Sequence, residues 1–211
     1  MSNVQKILLY GEIPVNSSIL EENGECYIID PGYEKERVVD YIKDSGLSVK
    51  GILLTHAHID HVGAIDAFDV PVYLHEEEHK ILLNDELNGF EFYYRTKPYD
   101  IKNIKIVTLK DGDKLPLGDK YIEVIHTPGH TVGGVCYRYN NDLYTGDTLF
   151  EGTVGKWTFP TGDLETLKKS VIRIIETEPE GMNIYPAHGD SSTIGIEKVY
   201  NHFYVNWKLG K

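Results

Sequence analysis

Three histidines and an aspartate stand close together in the sequence, directly after a run of apolar residues. Residues 52–55 are predicted to form a buried strand, and they are followed by the string His56-Ala57-His58-Ile59-Asp60-His61. A group of ionisable side chains this dense is not expected in a hydrophobic core. His56 and His58 project to the same side of an extended segment because they are two positions apart. The string therefore predicts a metal site, and the alternative is a set of ordinary solvated loop residues.

The composition limits the class of protein and its partners. The chain has 211 residues, of which 41% are hydrophobic, and this fits a single folded domain over residues 1–211. Its formal charge is −12, whereas nucleic-acid binding requires clustered Lys and Arg, so we expect a small-molecule substrate and no nucleic-acid partner. The sequence has neither an apolar run of about 18 residues nor a secretory signal, so we expect a cytoplasmic protein without a membrane partner. The oligomeric state is left open.

The order of the predicted elements is that of a mixed α/β protein. Three short strands come first, over residues 7–10, 17–20 and 26–29. An amphipathic helix over residues 34–45 leads to the strand before the histidines, and a short helix is predicted over residues 62–68. This order places ligand-type side chains at the ends of strands. Cys26 and Cys136 lie in predicted strands, which favours buried, reduced thiols over a disulfide or a thiolate ligand.

A second histidine string follows the next predicted strand. His75-Glu76-Glu77-Glu78-His79 matches H-E-x-x-H, a pattern that on a helix places two histidines on one face with a glutamate as base. The string lies at a predicted strand-to-helix junction, and a richer set of ligands occurs elsewhere in the chain. We therefore interpret it as a solvated, acidic first helical turn rather than as a zinc site.

Residues 84–100 are rich in aromatic and polar side chains and show no clear periodicity. The segment contains Phe90, Phe92, Tyr93, Tyr94, Arg95, Lys97 and Tyr99. These residues either pack on the outside of the domain or form a lid beside the substrate, to which Arg95 and Lys97 contribute positive charge. Of the two interpretations we favour packing.

A sharp turn in the second half of the chain presents another histidine at a strand end. The strand predicted over residues 121–126 breaks at Thr127-Pro128-Gly129, and His130 follows this turn. His126 belongs to the strand itself and is interpreted as structural. His130 is therefore the candidate ligand of this segment.

Two more candidate ligands follow later strands. Asp147 comes directly after Gly146, and glycine allows close approach of the backbone, so this carboxylate is suited to bridging two ions. An amphipathic helix is predicted over residues 163–177, with Asp163 as its N-terminal cap. His188 then follows the last predicted strand.

Together these segments offer five imidazoles and two carboxylates, which is the ligand set of a binuclear centre. Asp147 is expected to be shared between the two ions. The first site then contains His56, His58 and His130. The second contains Asp60, His61 and His188. Imidazole and carboxylate ligands without thiolate favour two divalent ions, Zn²⁺ first and Fe²⁺ or Mn²⁺ as alternatives, and leave a position for a shared water. Ions about 3.5 to 4 Å apart lower the pKa of such a water, so the site is predicted to be catalytic.

These residues and their flanking strings resemble the metallo-β-lactamase superfamily. Three strings are similar to its hydroxyacylglutathione hydrolase (glyoxalase II) branch: Thr127-Pro128-Gly129-His130-Thr131, Thr145-Gly146-Asp147-Thr148-Leu149-Phe150 and Tyr185-Pro186-Ala187-His188-Gly189. The resemblance covers nearly the whole chain. It implies an α/β fold, an αββα sandwich of two mixed sheets flanked by helices, with the metals at one edge. It also implies hydrolysis of S-(2-hydroxyacyl)glutathione to a hydroxy acid and glutathione.

The implied chemistry fits the ligand set. A hydroxide that bridges the metals attacks the thioester carbonyl, and Asp60 holds a metal and orients the hydroxide. The thiolate that departs has a pKa near 8.5 and scarcely needs a general acid. An amide leaving group requires an acid that the sequence does not identify.

The chain differs from glyoxalase II enzymes in two places. Those enzymes usually carry a C-terminal helical domain that contacts glutathione, and here only residues 189–211 follow His188. The family's Gly-Arg-Thr-Asp string is replaced by Gly155-Lys156-Trp157-Thr158, in which Lys156 keeps a charge for a substrate carboxylate but loses the forked guanidinium. A solvated surface lysine is the alternative for Lys156. The resemblance is therefore closest to the short, one-domain members of the branch.

Several other functions stay open on the sequence alone. A persulfide dioxygenase would hold one iron with His56, His130 and Asp147 and would consume O₂. A hydrolase of another ester or a lactone would use the same centre, and a lactamase would open a chromogenic lactam. A phosphodiesterase or ribonuclease would normally show a basic face. A non-enzymatic binding module would be stabilised by metal but would turn over no ester.

Overall fold

Two six-stranded β-sheets pack face to face in the computed structural model, which describes residues 3–9, 13–93 and 99–210. The first sheet follows chain order and contains β1 (Asn3–Leu9), β2 (Val15–Glu22), β3 (Glu25–Ile29), β4 (Ser48–Leu53), β5 (Val72–His75) and β6 (Ile106–Leu109). Strands β1 to β3 are antiparallel, and β3 to β6 are parallel. The carboxyl ends of the parallel strands therefore meet at one edge.

The second sheet is also mixed. Its strands are β7 (Lys114–Leu117), β8 (Lys120–His126), β9 (Val135–Tyr139), β10 (Asp142–Gly146), β13 (Asn183–Pro186) and β14 (Ser192–Thr193). A small hairpin of β11 (Leu149–Phe150) and β12 (Thr153–Val154) stands between β10 and β13 in the chain. The spatial order is β14-β13-β10-β9-β8-β7, and β10 and β13 are the parallel pair.

Helices cover the outer face of each sheet. Those of the first sheet are α1 (Lys35–Ser45), α2 (Ile59–Val62), α3 (Glu78–Leu82) and α4 (Phe90–Tyr93), followed by a 3₁₀ turn (Ile101–Asn103). Those of the second are α5 (Leu164–Thr177), α6 (Ile194–Tyr200) and α7 (His202–Lys208). Within the described ranges, no helix is both long and apolar enough to cross a bilayer.

Three clusters of buried apolar side chains fill the spaces between these four layers. The central cluster lies between the sheets and takes Leu53 from the first sheet and Tyr137 and Tyr144 from the second. The other two clusters lie between each sheet and its helices. Both faces of each sheet are thus covered by apolar contacts, which is the arrangement that the helix, sheet, sheet, helix order requires.

The predicted αββα sandwich of two mixed sheets is confirmed, and so are its two long helices. Residues 34–45 contain α1, whose Val38 and Ile42 are buried, and α5 is capped by Asp163, which accepts a hydrogen bond from the amide of Thr166. Cys26 and Cys136 are buried free thiols, as expected.

The helix predicted over residues 62–68 is wrong. The helical turn comes earlier, as α2, and the chain beyond it makes separate turns in which Ile65 and Ala67 each donate to the carbonyl three residues before. Gly63 lies against the loop after β3, where a Cβ would come within 2.7 Å of the carbonyl oxygen of Gly32. Because Gly63 packs against this loop, the residues that follow it do not continue the helical hydrogen bonds of α2.

One hydrogen bond crosses between the sheets directly before the histidine segment. The hydroxyl of Tyr137 donates to the carbonyl of Leu54 at 2.8 Å, and the tyrosine is fully buried.

We expect Tyr137→Phe to lower the free energy of unfolding by about 0.5–1.5 kcal/mol, because a buried carbonyl loses its partner. Urea unfolding measures this loss. Tyr121→Phe on β8 is the control, since Tyr121 is 61% exposed and its replacement should change the free energy by less than about 0.5 kcal/mol. Equal losses in both variants would contradict the role of the cross-sheet bond.

Candidate metal centre

The first sheet contributes four of the predicted ligands. His56 and His58 lie in the extended segment after β4, and His58 is the residue directly before α2. Asp60 and His61 belong to the first turn of α2, where the amide of His61 donates to the carbonyl of His58 at 3.0 Å. The change from extended chain to helix therefore turns the last two side chains away from the direction of the first two.

The second sheet contributes the other three. His130 follows β8, Asp147 follows β10 and His188 follows β13. Since β10 and β13 are parallel neighbours, Asp147 and His188 leave the sheet side by side. Gly146 has a φ of 49°, and a Cβ there would lie 2.4 Å from the hydroxyl of Thr55, so the close approach of the two sheets requires glycine at this position.

Three histidine nitrogens form a compact triangle. Nε2 of His56 lies 3.1 Å from Nδ1 of His58 and 3.2 Å from Nε2 of His130, and the last two nitrogens are 2.9 Å apart. Two nitrogen ligands of a tetrahedral ion, each about 2.0–2.1 Å from it, are separated by about 3.3 Å. The triangle is therefore close to the size that a single ion requires.

The histidines of this triangle are neutral. Burial and the neighbouring His130 lower the pKa of His58 to about 3, and burial lowers the pKa of His130 to about 4 despite the nearby carbonyl of Lys156. Burial and the neighbouring His61 hold the pKa of His56 well below its usual value. A neutral imidazole offers the lone pair that a metal ion binds.

The second group is built from Asp60, His61 and His188. Oδ2 of Asp60 lies 3.3 Å from Nε2 of His188 and 3.5 Å from Nε2 of His61. Burial alone would lower the pKa of His61, but Asp60 and Asp30 outweigh it and raise that pKa to about 10. Burial alone would raise the pKa of Asp60, but His61 and His188 keep it below its usual value. The carboxylates in and beside this group therefore stabilise positive charge at its position.

Asp147 faces both groups with different oxygens. Its Oδ2 lies 3.4 Å from Nε2 of His130, while its Oδ1 lies 3.4 Å from Nε2 of His188 and 3.6 Å from Nε2 of His61. All seven predicted ligands therefore come together, three in one group, three in the other and Asp147 between them.

Buried polar atoms in the centre indicate that these residues fit two divalent ions. Nε2 of His61 and Oδ1 of Asp147 are buried, and neither has a hydrogen-bond partner among the residues that the structure describes. The outer nitrogens are directed elsewhere: Nδ1 of His130 donates to the carbonyl of Lys156 at 2.6 Å, and Nδ1 of His188 donates to that of Pro14 at 2.7 Å. Such outer contacts orient histidines that ligate metal.

Asp30 supports the centre, although it is not among the candidate residues predicted from the sequence. Its carboxylate accepts hydrogen bonds from the amide and the hydroxyl of Thr55, at 2.8 and 2.6 Å, and its Oδ2 lies 3.0 Å from Nδ1 of His61. It is 1% exposed. The available signal was its place at the end of a buried strand in line with the other ligands.

The interpretation of residues 75–79 as a solvated acidic turn is wrong for two of its members. His75 ends β5 and Glu78 begins α3, and both are buried. The ring of His75 stacks on that of His126 at 4.0 Å, which agrees with a structural role for His126. Neither His75 nor His79 belongs to any of the metal-binding groups found in the described part of the chain. Glu78 points inward because it pairs with backbone amides, a contact that no local pattern reveals.

A pocket of about 510 Å³ opens on the centre and supplies room for a small substrate. Its floor contains Asp60, Asp147 and His188, and its walls include Leu87, Phe150 and Phe159. Lys156, the predicted substrate residue, also lines this pocket, with Nζ 4.8 Å from the centre of the Phe159 ring.

The described part of residues 84–100 contains residues that pack on the domain and residues that line the pocket. Phe90 packs against the outer core of the first sheet and Tyr99 is buried, as the packing interpretation expects. Residues 86–89, however, line the pocket. The proposed contribution of Arg95 and Lys97 to a lid lies outside the described residues.

The chain matches the family model of the metallo-β-lactamase superfamily over residues 10–188. The probable metallo-hydrolase YqgX of Bacillus subtilis is 36% identical over 210 residues, which cover 94% of this chain and 96% of the relative. The hydroxyacylglutathione hydrolase GloC of Haemophilus influenzae is 33% identical over 198 residues, which cover 89% of this chain and 91% of the relative.

Two solved structures share both fold and sequence with the chain. The crystal structure of the B3 metallo-β-lactamase BLEG-1 has a TM-score of 0.88 and 34% identity, and the match covers 96% of this chain and 99% of that chain. TTHA1623 in a di-iron-bound form has a TM-score of 0.80 and 32% identity, and the match covers 94% of this chain and 99% of that chain. The relatives thus differ in the activities and metals that their names give.

The position of Asp147 between two groups leads to a test by metal content. We expect the wild-type protein to bind close to two divalent ions per chain, and Asp147→Ala to lose most of one, because each group loses a carboxylate oxygen. Elemental analysis after dialysis measures the content. Asp142→Ala is the control, since Asp142 begins β10, the strand that Asp147 follows, but pairs with Asn183. An Asp147→Ala protein that keeps both ions would refute the bridging role.

Proposed function

Because the chain belongs to the metallo-β-lactamase superfamily, we propose that it is a binuclear metal-dependent hydrolase of thioesters of the hydroxyacylglutathione type. The observation that carries the proposal is the carboxylate of Asp147, which faces two separate ligand groups at the floor of one pocket. A structural metal site is closed on all sides by protein ligands, whereas this centre opens on a cavity. The arrangement therefore supports catalysis on a small substrate.

The roles of the side chains follow from their charge and position. Two bound divalent ions would supply an activated water near neutral pH and positive charge for a carbonyl oxygen. His56, His58 and His130 would hold one ion, with Asp147 shared. Asp60, His61 and His188 would hold the other. Asp60 lines the pocket and is ionised, so it can accept a hydrogen bond from the attacking water and orient it.

The identity of the leaving group favours thioesters over amides. A thiolate with a pKa near 8.5 departs without protonation, while an amine requires a proton donor close to the scissile bond. Apart from the predicted ligands, the ionisable residues that line the pocket are Glu86 and Lys156 among the described residues. Both residues are exposed, so the described lining of the pocket offers no buried acid beyond the predicted ligands that could protonate an amine.

Lactam hydrolysis is the second candidate function. It is favoured by one observation, the 34% identity to BLEG-1 over nearly the whole chain. It is disfavoured by the leaving-group argument, although a strained lactam needs less assistance than an ordinary amide. The two candidates share a centre and differ in substrate, so a direct comparison of substrates separates them.

Metal analysis combined with a substrate panel tests the proposal. We expect the protein with about two Zn²⁺, Fe²⁺ or Mn²⁺ per chain to release thiol from lactoylglutathione and related thioesters, and to lose this activity on chelation. The Asp147→Ala variant is the inactive control. Turnover of a chromogenic cephalosporin but of no thioester would replace the proposal with the lactamase alternative. One iron per chain together with O₂ consumption on glutathione persulfide would replace it with the dioxygenase alternative.

Lys156 provides a test of substrate charge. Its ammonium group lies at the pocket and, at this exposed position, an ion pair with a substrate carboxylate contributes about 1 kcal/mol, or about fivefold in affinity. We therefore expect Lys156→Gln to raise KM about fivefold for lactoylglutathione with little change in kcat. A thioester of N-acetylcysteamine, which carries no carboxylate, should show no such change. Lys169→Gln, an exposed lysine of α5, is the matched control. Equal effects on both thioesters would argue against a carboxylate contact.

A further inference from the structure

Glu78 is a fully buried carboxylate outside the two ligand groups. Its residue is 0% exposed, although the adjacent Glu76, Glu77 and His79 are exposed. Oε2 accepts a hydrogen bond from the amide of Ala57 at 2.7 Å, and Oε1 accepts one from the amide of Gly133 at 2.9 Å. Each oxygen of the side chain thus pairs with a different loop.

The two loops are those that carry the three-histidine triangle. Ala57 stands between His56 and His58 in the segment after β4 of the first sheet. Gly133 follows His130 by three residues in the segment that leads to β9 of the second sheet. A single side chain, held on α3, therefore joins the two parts of the triangle across the two sheets.

A carboxylate suits this bridge better than any neutral side chain. Both partners are backbone N–H groups, which can only donate hydrogen bonds. A carboxylate can accept at both of its oxygens. A glutamine would satisfy one amide and turn its own NH₂ group toward the other. Leaving a buried amide unpaired is costly, and the loop that carries it is expected to move away.

Gly133 packs closely against Glu78 and leaves no space for a side chain at position 133. A Cβ at this position would come within 2.8 Å of the amide nitrogen of Glu78 and 2.9 Å of its Oε1. These distances are shorter than an ordinary carbon contact, so a larger residue would push the loop away from α3. The separation of the two loops is thus fixed from both ends of the bridge.

The other ligand group has different supports. His61 is held by Asp30, and the loop of His188 is held by Asn16, whose side-chain amide donates to the carbonyls of Pro186 and Gly189 at 3.1 and 3.0 Å. In the described part of the structure Glu78 forms no hydrogen bond with either of these loops, and its interaction with His61 is electrostatic only. A change at Glu78 should therefore act mainly on the three-histidine group.

We propose that Glu78 is a positioning residue that fixes the distance between the His56 and His58 pair and His130, and thereby sets the affinity of the three-histidine site for its ion. The inference rests on the proposed binuclear centre. It assigns the buried glutamate of the H-E-x-x-H string a role through backbone amides, with no direct contact to metal or substrate.

Metal affinity measured in single-site backgrounds tests the proposal. His188→Ala leaves the three-histidine site intact, and His58→Ala leaves the site of Asp60, His61 and His188. We expect Glu78→Gln to weaken Zn²⁺ binding about 10–100-fold in the first background and less than about threefold in the second, by competition with a chromogenic chelator. Glu77→Gln is the matched control, because Glu77 precedes Glu78 in the same turn and is exposed. It should leave both affinities unchanged.

Gly133→Ala tests the bridge from its other end and should reproduce the selective loss if Glu78→Gln fails to fold. Equal weakening in both backgrounds, or no weakening in either, would overturn the positioning role. Unfolding of both the Glu78→Gln and the Gly133→Ala proteins would also overturn it, since the bridge would then serve the fold as a whole. A wild-type chain that binds none of Zn²⁺, Fe²⁺ and Mn²⁺ would instead refute the proposed centre, and with it this inference.

Discussion

Asp147 faces two ligand groups at once because the ends of the two sheets meet beside it, and the rest of the centre depends on this close approach. The approach is close enough that Gly146 has no space for a side chain beside Thr55. Backbone contacts reinforce it, since the amide of Val135 on the second sheet donates to the carbonyl of Thr55 on the first at 2.8 Å. The packing of the two sheets therefore also sets the distance between the ligands of the first sheet and those of the second.

The two ligand groups are held by different physical means. The three-histidine triangle consists of neutral imidazoles, because burial lowers their pKa values although the nearby carboxylates of Asp60 and Asp147 act in the opposite direction on His58. Its affinity depends on geometry, because neutral ligands gain little from charge alone. The second group contains Asp60 and is backed by Asp30, and these carboxylates raise the pKa of His61 to about 10. Here a cation is attracted by charge, so small displacements matter less.

The parts of the centre that could be predicted from the sequence are those whose chemistry is visible in the residue type. Histidines and aspartates after strands are unusual enough to be singled out from the sequence, and the structure brings all seven of them together. Asp30 and Glu78 were missed because their role lies in accepting hydrogen bonds from distant backbone, and a carboxylate in a turn or at a helix start has the same local appearance when it is solvated. The helix over residues 62–68 failed for a similar reason, since packing against Gly32 overrides local propensity.

The C-terminal helices support the candidate centre through the β11–β12 hairpin and Trp157. Glu197 of α6 accepts a hydrogen bond from the amide of Gly152 at 2.9 Å, and the side chain of Asn201 donates to the carbonyl of Thr153, so both hold the β11–β12 hairpin. The ring of Phe203 on α7 packs edge-on against Trp157. Lys156 lies between these two supports, and its carbonyl accepts the hydrogen bond of His130. The segment around Lys156 thus places a cation at the pocket and orients the predicted ligand His130. The contact with substrate and the geometry of the metal ligands therefore depend on the packing of the same C-terminal helices.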